Sequence, residues 1–212
     1  MVLRKNGIMS KIQALTEIPS AGPVPGFTYT HVCCTLLLIG DEGSVGRIQL
    51  SKKLSLGEGT IRTIIRHFSR AGIIKSTRQG CTLTPKGVAL YRNLRGRLSK
   101  AFVVDARQLA LDRASTAVRV RGVAARVRQG IEQRDAAVRL GATGACTVLV
   151  KGGRFVMPMA ADEWSLSGDD PLADELTSIF HPRENDVIII ASAGENMLAN
   201  YAAIAASLTL FD

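Results

Sequence analysis

Histidine and cysteine are scarce in this chain of 212 residues, with three of the first and four of the second. Cys33, Cys34, Cys81 and Cys146 form no C-x-x-C pair, and His31, His67 and His181 complete no metal-ligand spacing, so no cofactor or metal is expected. Cys33 and Cys34 fall in an apolar run, where cysteine behaves as a small hydrophobe and burial is the expectation. No stretch reaches the roughly 18 to 20 apolar residues of a membrane helix. The start, MVLRK, lacks a signal peptide's apolar core. A cytoplasmic protein with no membrane partner is expected. Nucleotide fingerprints are missing too: Gly141-Ala142-Thr143-Gly144 matches neither G-x-G-x-x-G nor G-x-x-x-x-G-K-S/T. There is no internal repeat and no low-complexity run.

Acidic residues are the other shortage, and it is confined to one half. Through residue 100, 16 lysines and arginines face 4 acidic residues, a net of +12. From residue 101 onward 11 face 14, a net of −3, which completes the chain's +9. A positive charge concentrated on one half fits a nucleic-acid-binding module joined to an ordinary domain.

The segment 57–87, GEGTIRTIIRHFSRAGIIKSTRQGCTLTPKG, carries the most information. Ile61, Ile64, Ile65, Phe68 and Ala71 recur at helical spacing and predict one apolar face. Gly59, Arg62, Thr63, Arg66 and Arg70 share the opposite face. Small and hydroxyl residues permit close approach to a duplex, while arginines reach phosphates or pair bidentately with guanine. Two strand-like runs follow, 73–77 and 81–84, around a tip at Arg78-Gln79-Gly80. Upstream, 29–39 and 45–54 read as two further helices, separated by a turn at Asp41-Glu42-Gly43. Residues 85–100 read as a helix after the strands, whose arginines are assigned no site.

Two helices, a tight turn, a third helix and a two-stranded wing resemble the winged helix-turn-helix domains of prokaryotic transcription regulators. GEGTIRTIIRHFSRAGII and the LTPKG turn carry the resemblance, over residues 28 to about 98. The two-domain layout is similar to a small group of archaeal winged-helix proteins with an appended domain of unsettled function. The resemblance implies an α+β chain with a winged-helix DNA-binding domain at 28–100 and a small α/β domain with a mixed sheet at 101–212. Residues 1–27, with three prolines in PSAGPVPGF and a short helix at 10–17, read as an arm or linker. The implied activity is transcription regulation by a homodimer on double-stranded DNA. The expected contacts are Lys52, Lys53, Gly59, Thr60, Arg62, Thr63, Arg66, Arg70, Lys75 and Arg78, with Lys86 as a further phosphate neutraliser.

In the second half, 101–109 and 116–121 read as strands, the latter with Val118 and Val120 alternating against Arg119 and Arg121. Residues 122–140 read as one helix carrying Val123, Val127, Ile131 and Val138 inward. Residues 146–150 and 154–159 read as a hairpin around Lys151-Gly152-Gly153. Asp170-Pro171 opens a helix through Phe180; 186–191 is a buried strand and 195–211 a last helix.

The turn Ser192-Ala193-Gly194-Glu195-Asn196 is the leading ligand candidate of this half, because a helix N-terminus favours an anion. Ser192, Gly194 and Asn196 would contact a small-molecule effector, although Glu195 opposes an anion there and capping explains the same residues. Met157-Pro158-Met159 and Trp164 read as core. Asp162, Glu163, Asp169, Asp170, Asp174 and Glu175 fit no known metal loop and read as a solvated acidic surface. No catalytic arrangement stands out, so a regulator rather than an enzyme is expected. The alternative is an α/β enzyme fused to a regulatory winged helix.

Overall fold

The computed structural model describes residues 8–16, 26–109, 112, 114–158, 163–166 and 170–211, with the backbone alone at 8, 9, 11, 163 and 164. The chain divides into two compact units, Met1–Arg95 and Gly96–Phe211.

The first unit is a winged helix. Helix α1 (Ile8–Gln13) is followed by α2 (Tyr29–Glu42), whose start is closed by the Thr28 amide donating to His31 Nδ1 at 3.0 Å. Helix α2 runs through the expected turn at Asp41-Glu42 and stops at Gly43 (φ 79°). Asp41 stays helical because its carboxylate receives the Tyr91 hydroxyl at 2.8 Å and Arg95 Nη2 at 2.5 Å. Helix α3 spans Arg47–Leu54, two residues later than the sequence suggests. Val45 instead exchanges two backbone hydrogen bonds with Cys81, at 3.1 and 2.9 Å, and so joins the wing.

Helix α4 (Glu58–Arg70) buries Ile61, Ile64 and Phe68 completely. Strands β1 (Ile74–Thr77) and β2 (Gly80–Leu83) pair antiparallel, Ile74 opposite Leu83 and Thr77 opposite Gly80. Helix α5 (Pro85–Arg97) starts where Thr84 Oγ1 accepts the Gly87 amide at 3.2 Å. Its last turns are shorter than expected from 85–100.

Within the expected arm, residues 8–16 carry the short helix α1 and pack on this unit. Ile12 and Leu15, three apart, are buried, and the Leu15 carbonyl lies 2.8 Å from Nδ1 of His67 on α4. Ile12 and Leu15 thus join the core of this unit, while Gln13 and Ala14 between them are exposed. PSAGPVPGF lies largely outside the described residues.

The second unit is a six-stranded sheet with strand order β3-β4-β8-β5-β6-β7. Its strands are β3 (Phe102–Val103), β4 (Ala114–Val120), β5 (Gly144–Lys151), β6 (Arg154–Pro158), β7 (Glu163–Ser165) and β8 (Val187–Ala193). Every neighbouring pair is antiparallel, which corrects the expected mixed sheet. Strands β4 and β5 flank β8 and run the same way, joined through helix α6 (Ile131–Val138), but they do not pair. Strand β8 enters between them, antiparallel to both. Alternating strands and helices suggest parallel neighbours; a strand inserted from far along the chain removes them.

Helices α6 and α8 (Asn196–Leu208) pack on one face of the sheet. Helix α7 (Pro171–Phe180) lays Leu172, Leu176 and Phe180 on the other, against Val148, Ile188 and Ile190. Because both faces are covered, Ser115, Thr116, Ala117 and Val118 are all buried, and the expected alternation is confined to the end of the strand, where Val118 and Val120 are buried, Arg119 is half-buried and Arg121 is exposed.

Three further expectations are revised. Residues 101–109 hold two strand residues and then a 3-10 turn, Arg107–Leu109, where Asp105 turns back to accept the Arg107 amide at 3.3 Å. The helix expected at 122–140 is interrupted: Gly130 adopts φ 76° and α6 begins only at Ile131. That break resets the helical phase, so Gln133 and Ala137 face inward while Ile131 and Val138 are 51% and 42% exposed. The last helix is shorter at both ends. By contrast, Asp170 caps α7 through the Leu172 amide at 2.9 Å with Pro171 in its first turn. Gly152 and Gly153 (φ 55° and 70°) supply the two left-handed positions of a tight β5–β6 turn.

Candidate nucleic-acid interface

Helix α4 turns its apolar stripe into the first unit, which leaves the opposite stripe in solvent. Gly59, Arg62, Arg66 and Arg70 are exposed there, and Thr60 and Thr63 are half-buried. The three arginines recur every fourth residue and stand in one row. A Cβ on Gly59 would meet nothing within 4 Å, so this end of the helix is open to close approach. The Thr63 hydroxyl donates to the Gly59 carbonyl at 3.1 Å, leaving its oxygen free to accept. Arg62, Arg66, Arg70 and Arg78 enter no ion pair with any described residue.

An open groove of about 710 Å³ lies between the start of α3, the middle of α4 and the wing. Arg62 and Arg78 stand on it from α4 and from the wing tip, and Ile65 lies in its floor. The tip is fixed by Ser44, whose hydroxyl donates to the Gln79 carbonyl at 3.2 Å, and by the Gln79 amide donating to Thr77 Oγ1 at 3.2 Å. Lys52 and Lys75 are exposed beside these elements.

Two expected contacts have other partners. Lys53 is paired with Glu42, and Lys86 Nζ donates to the Ala71 carbonyl at 2.8 Å, closing the C-terminal end of α4. The groove also contains residues that the sequence did not single out: Arg47, Ile48 and Gln49 of α3. Arg47 pairs with Glu58 at 3.4 Å, tying the start of α3 to the start of α4. The signal available for them was weak, since the first turn of α3 follows no strong apolar period. His67 escapes a sequence reading for another reason: it is a polar residue in the strongly periodic α4, but it is buried against Phe27, ring centroids 5.7 Å apart.

Cys33 and Cys34 are poor nucleophiles. Burial pushes the Cys34 thiol up to about 12, and burial with the neighbouring Cys34 raises Cys33 as well. Both sit in the interior of α2.

The ligand candidate in the second unit does not assemble. Ser192 is inside β8, fully buried, with its Oγ 2.6 Å from Ser115 Oγ and its carbonyl accepting the Thr143 amide at 2.9 Å. Gly194 lies exposed in the turn beyond it, and Asn196 is exposed as the first residue of α8. The strand runs to Ala193, so its own pairing with β4 takes Ser192 away from the turn. Of the acidic set, Asp170 caps α7, and Glu175 Oε2 accepts the Asp105 amide at 3.0 Å. Asp162, Asp169, Met159 and the side chains of Glu163 and Trp164 lie outside the described residues. Among the described residues no group of three or more His, Cys, Asp or Glu is placed to hold a metal ion. No helix among them is long and apolar enough to cross a membrane.

A buried ion pair joins burial and charge in this unit. Arg119 donates to the Phe180 carbonyl at 2.7 Å and lies 3.5 Å from Asp186, whose other bonds are to the amides of Gly122 and Arg183, each at 3.0 Å. Burial first, and the nearby Arg121 second, hold the Arg119 guanidinium below its usual range. The cluster ties the end of α7 to the sheet and exposes nothing to a ligand.

The helices, the wing and the third strand segment at Val45 define the first unit as a winged-helix domain, the fold found in many regulators. Residues 30–89 match the family profile described as PH0730-like, N-terminal domain, and residues 111–210 match a domain of unknown function, DUF4443. The chain is similar in structure to the hypothetical protein PH0730 from Pyrococcus horikoshii OT3, at 26% identity and a TM-score of 0.66, over 87% of this chain and 92% of that one. A MarR family protein of Mycobacterium tuberculosis, Rv2887, matches at 19% identity and a TM-score of 0.30, over 42% of this chain and 63% of that one. The second likeness is too slight to carry an argument. No curated protein matches the chain.

Proposed function

We propose that the protein is a DNA-binding transcription regulator. Helix α4 enters the major groove, with Arg62, Thr63 and Arg66 at base edges or phosphates and Gly59 and Thr60 allowing close approach. The wing and Lys52, Arg70, Lys75 and Arg78 neutralise backbone charge. The observation that carries this reading is the row of Arg62, Arg66 and Arg70, exposed and without ion pairs among the described residues, beside a basic wing tip. A winged helix serving only as scaffold has no use for three unpaired cations in register.

The second unit, taken as the domain from about residue 101, is assigned to dimerisation or ligand sensing in a cytoplasmic homodimer. Reading two half-sites requires a two-fold arrangement. Gly194 and Asn196 remain the surface positions for an effector, and Ser192 is not carried with them.

Selection from a library of random duplexes at moderate salt tests the reading, with the Arg62→Ala/Arg66→Ala double variant beside the wild type. A palindromic motif enriched by the wild type and lost by the variant is the expected result. Absence of any duplex binding by the folded protein would reject it.

A further inference from the structure

The first turn of α3 presents an isoleucine to solvent on a basic surface. Ile48 is 56% exposed, and among the described residues of the winged-helix unit it is the one large apolar side chain so placed. It lines the same groove as Arg62 and Arg78, over a floor that includes Ile65 and Cys81. Its neighbours in sequence are engaged elsewhere. Arg47 pairs with Glu58 at 3.4 Å. Gln49 Oε1 turns back to accept the Gly46 amide at 3.2 Å, closing the start of α3. The ion pair and the cap fix the first turn, so Ile48 is held in the groove by a rigid element rather than by a loop.

We infer that Ile48 reads sequence by apolar contact with the C5-methyl group of a thymine, resting on the reading of this face as a duplex-binding surface. The methyl is the one apolar group that the major groove offers, and it distinguishes thymine from every other unmodified base. An isoleucine flanked by arginines suits it: the cations bring the polyanion to the surface, and the branched side chain loses water against the methyl when the duplex seats. A protein partner is the competing use of an exposed isoleucine. The cationic rim favours the nucleic acid, because an apolar protein surface would have to desolvate Arg62 and Arg78 without compensating charge.

Deoxyuridine lacks the thymine methyl and keeps every hydrogen-bonding group, so it isolates the contact. The test uses the full chain and the duplex enriched from the random library, with each thymine replaced in turn by deoxyuridine, against wild type and Ile48→Ala. Ile48 is exposed, so the variant is expected to unfold at the wild-type temperature, which a thermal melt checks; Ile48→Val, keeping a branched contact, is the second variant. The expected result is a position at which the replacement weakens wild type and Ile48→Val about fourfold, the value of one buried methyl-sized group, and leaves Ile48→Ala unchanged. If no position shows that difference while the duplex is still selected, the contact is wrong and the regulator reading stands. If the wild type selects no duplex, the regulator reading fails and this inference fails with it.

Discussion

A Cβ on Gly87 would lie 2.1 Å from the carbonyl oxygen of Ile73, closer than any side chain can approach. The glycine of the LTPKG turn is therefore required by contact between the first turn of α5 and the chain leaving α4. Gly96, in the same helix, meets nothing within 4 Å. Gly87→Ala is expected to destabilise the fold by about 3 kcal/mol, since either the wing or α5 must move. Gly96→Ala should stabilise it by up to about 0.5–1 kcal/mol, through the helix preference for alanine. Urea unfolding of the two variants checks the contrast; equal effects would mean that the close approach at Gly87 is absent.

Lys52 and Lys53 are adjacent in sequence but differ in electrostatic state. Lys53 is paired with Glu42, whereas Lys52 is exposed and unpaired among the described residues. If α3 borders a duplex, Lys52→Ala is expected to lower the slope of log affinity against log salt by about 0.9, the release of one counterion. Lys53→Ala should change it much less, because a lysine already neutralised by a carboxylate displaces fewer counterions. A salt titration of each variant by fluorescence anisotropy measures both slopes, and a larger change for Lys53 would contradict the assignment.

Burial of Cys34 makes stability depend on alkaline pH. With its thiol pushed up to about 12 in the fold, against 9.0 for an ordinary cysteine, both states keep the proton below about pH 9. Above that, the unfolded chain releases the proton and the folded chain holds it. Stability contributed by the buried thiol is thus full below pH 9 and falls toward pH 12, by about 1.4 kcal/mol per pH unit within the interval. Denaturation of wild type and Cys34→Ala from pH 7 to 11 should show a steeper loss for the wild type; parallel curves would place the thiol in water.

Arg119 and Asp186 form a buried pair in which each partner also holds backbone groups. Asp186→Asn is expected to cost about 3–5 kcal/mol, since it leaves the guanidinium buried without a counter-charge. Arg119→Met, which leaves Asp186 with the amides of Gly122 and Arg183, should cost less. Calorimetric melting of the two variants gives the order; the reverse order would mean that the interaction with the Phe180 carbonyl dominates.

Local periodicity and local backbone chemistry were legible in the sequence, because both are set by residues within a few positions of one another. Ile61, Ile64 and Phe68 mark the buried stripe of α4, and the same period leaves Arg62, Arg66 and Arg70 outside. Asp170 with Pro171 starts α7, and Gly152-Gly153 turns β5 into β6. Gly130 also acts locally, but a lone glycine in an apolar pattern does not announce a left-handed residue, so the break before α6 is not legible in the sequence. What only the tertiary structure decided involves partners far apart along the chain. Strand β8 slides between β4 and β5 and makes the sheet antiparallel throughout. It also withdraws Ser192 from the loop to face Ser115, 77 residues away. His67 is core because Leu15 reaches it, and Lys86 is occupied because α4 ends beside it. Ile48 enters the groove because the Arg47–Glu58 pair and the Gln49 cap set the first turn of α3 against α4 and the wing. The sequence by itself determined which faces were apolar and which were cationic; which faces meet was decided by packing, where a side chain's role depends on neighbours that its own segment does not contain.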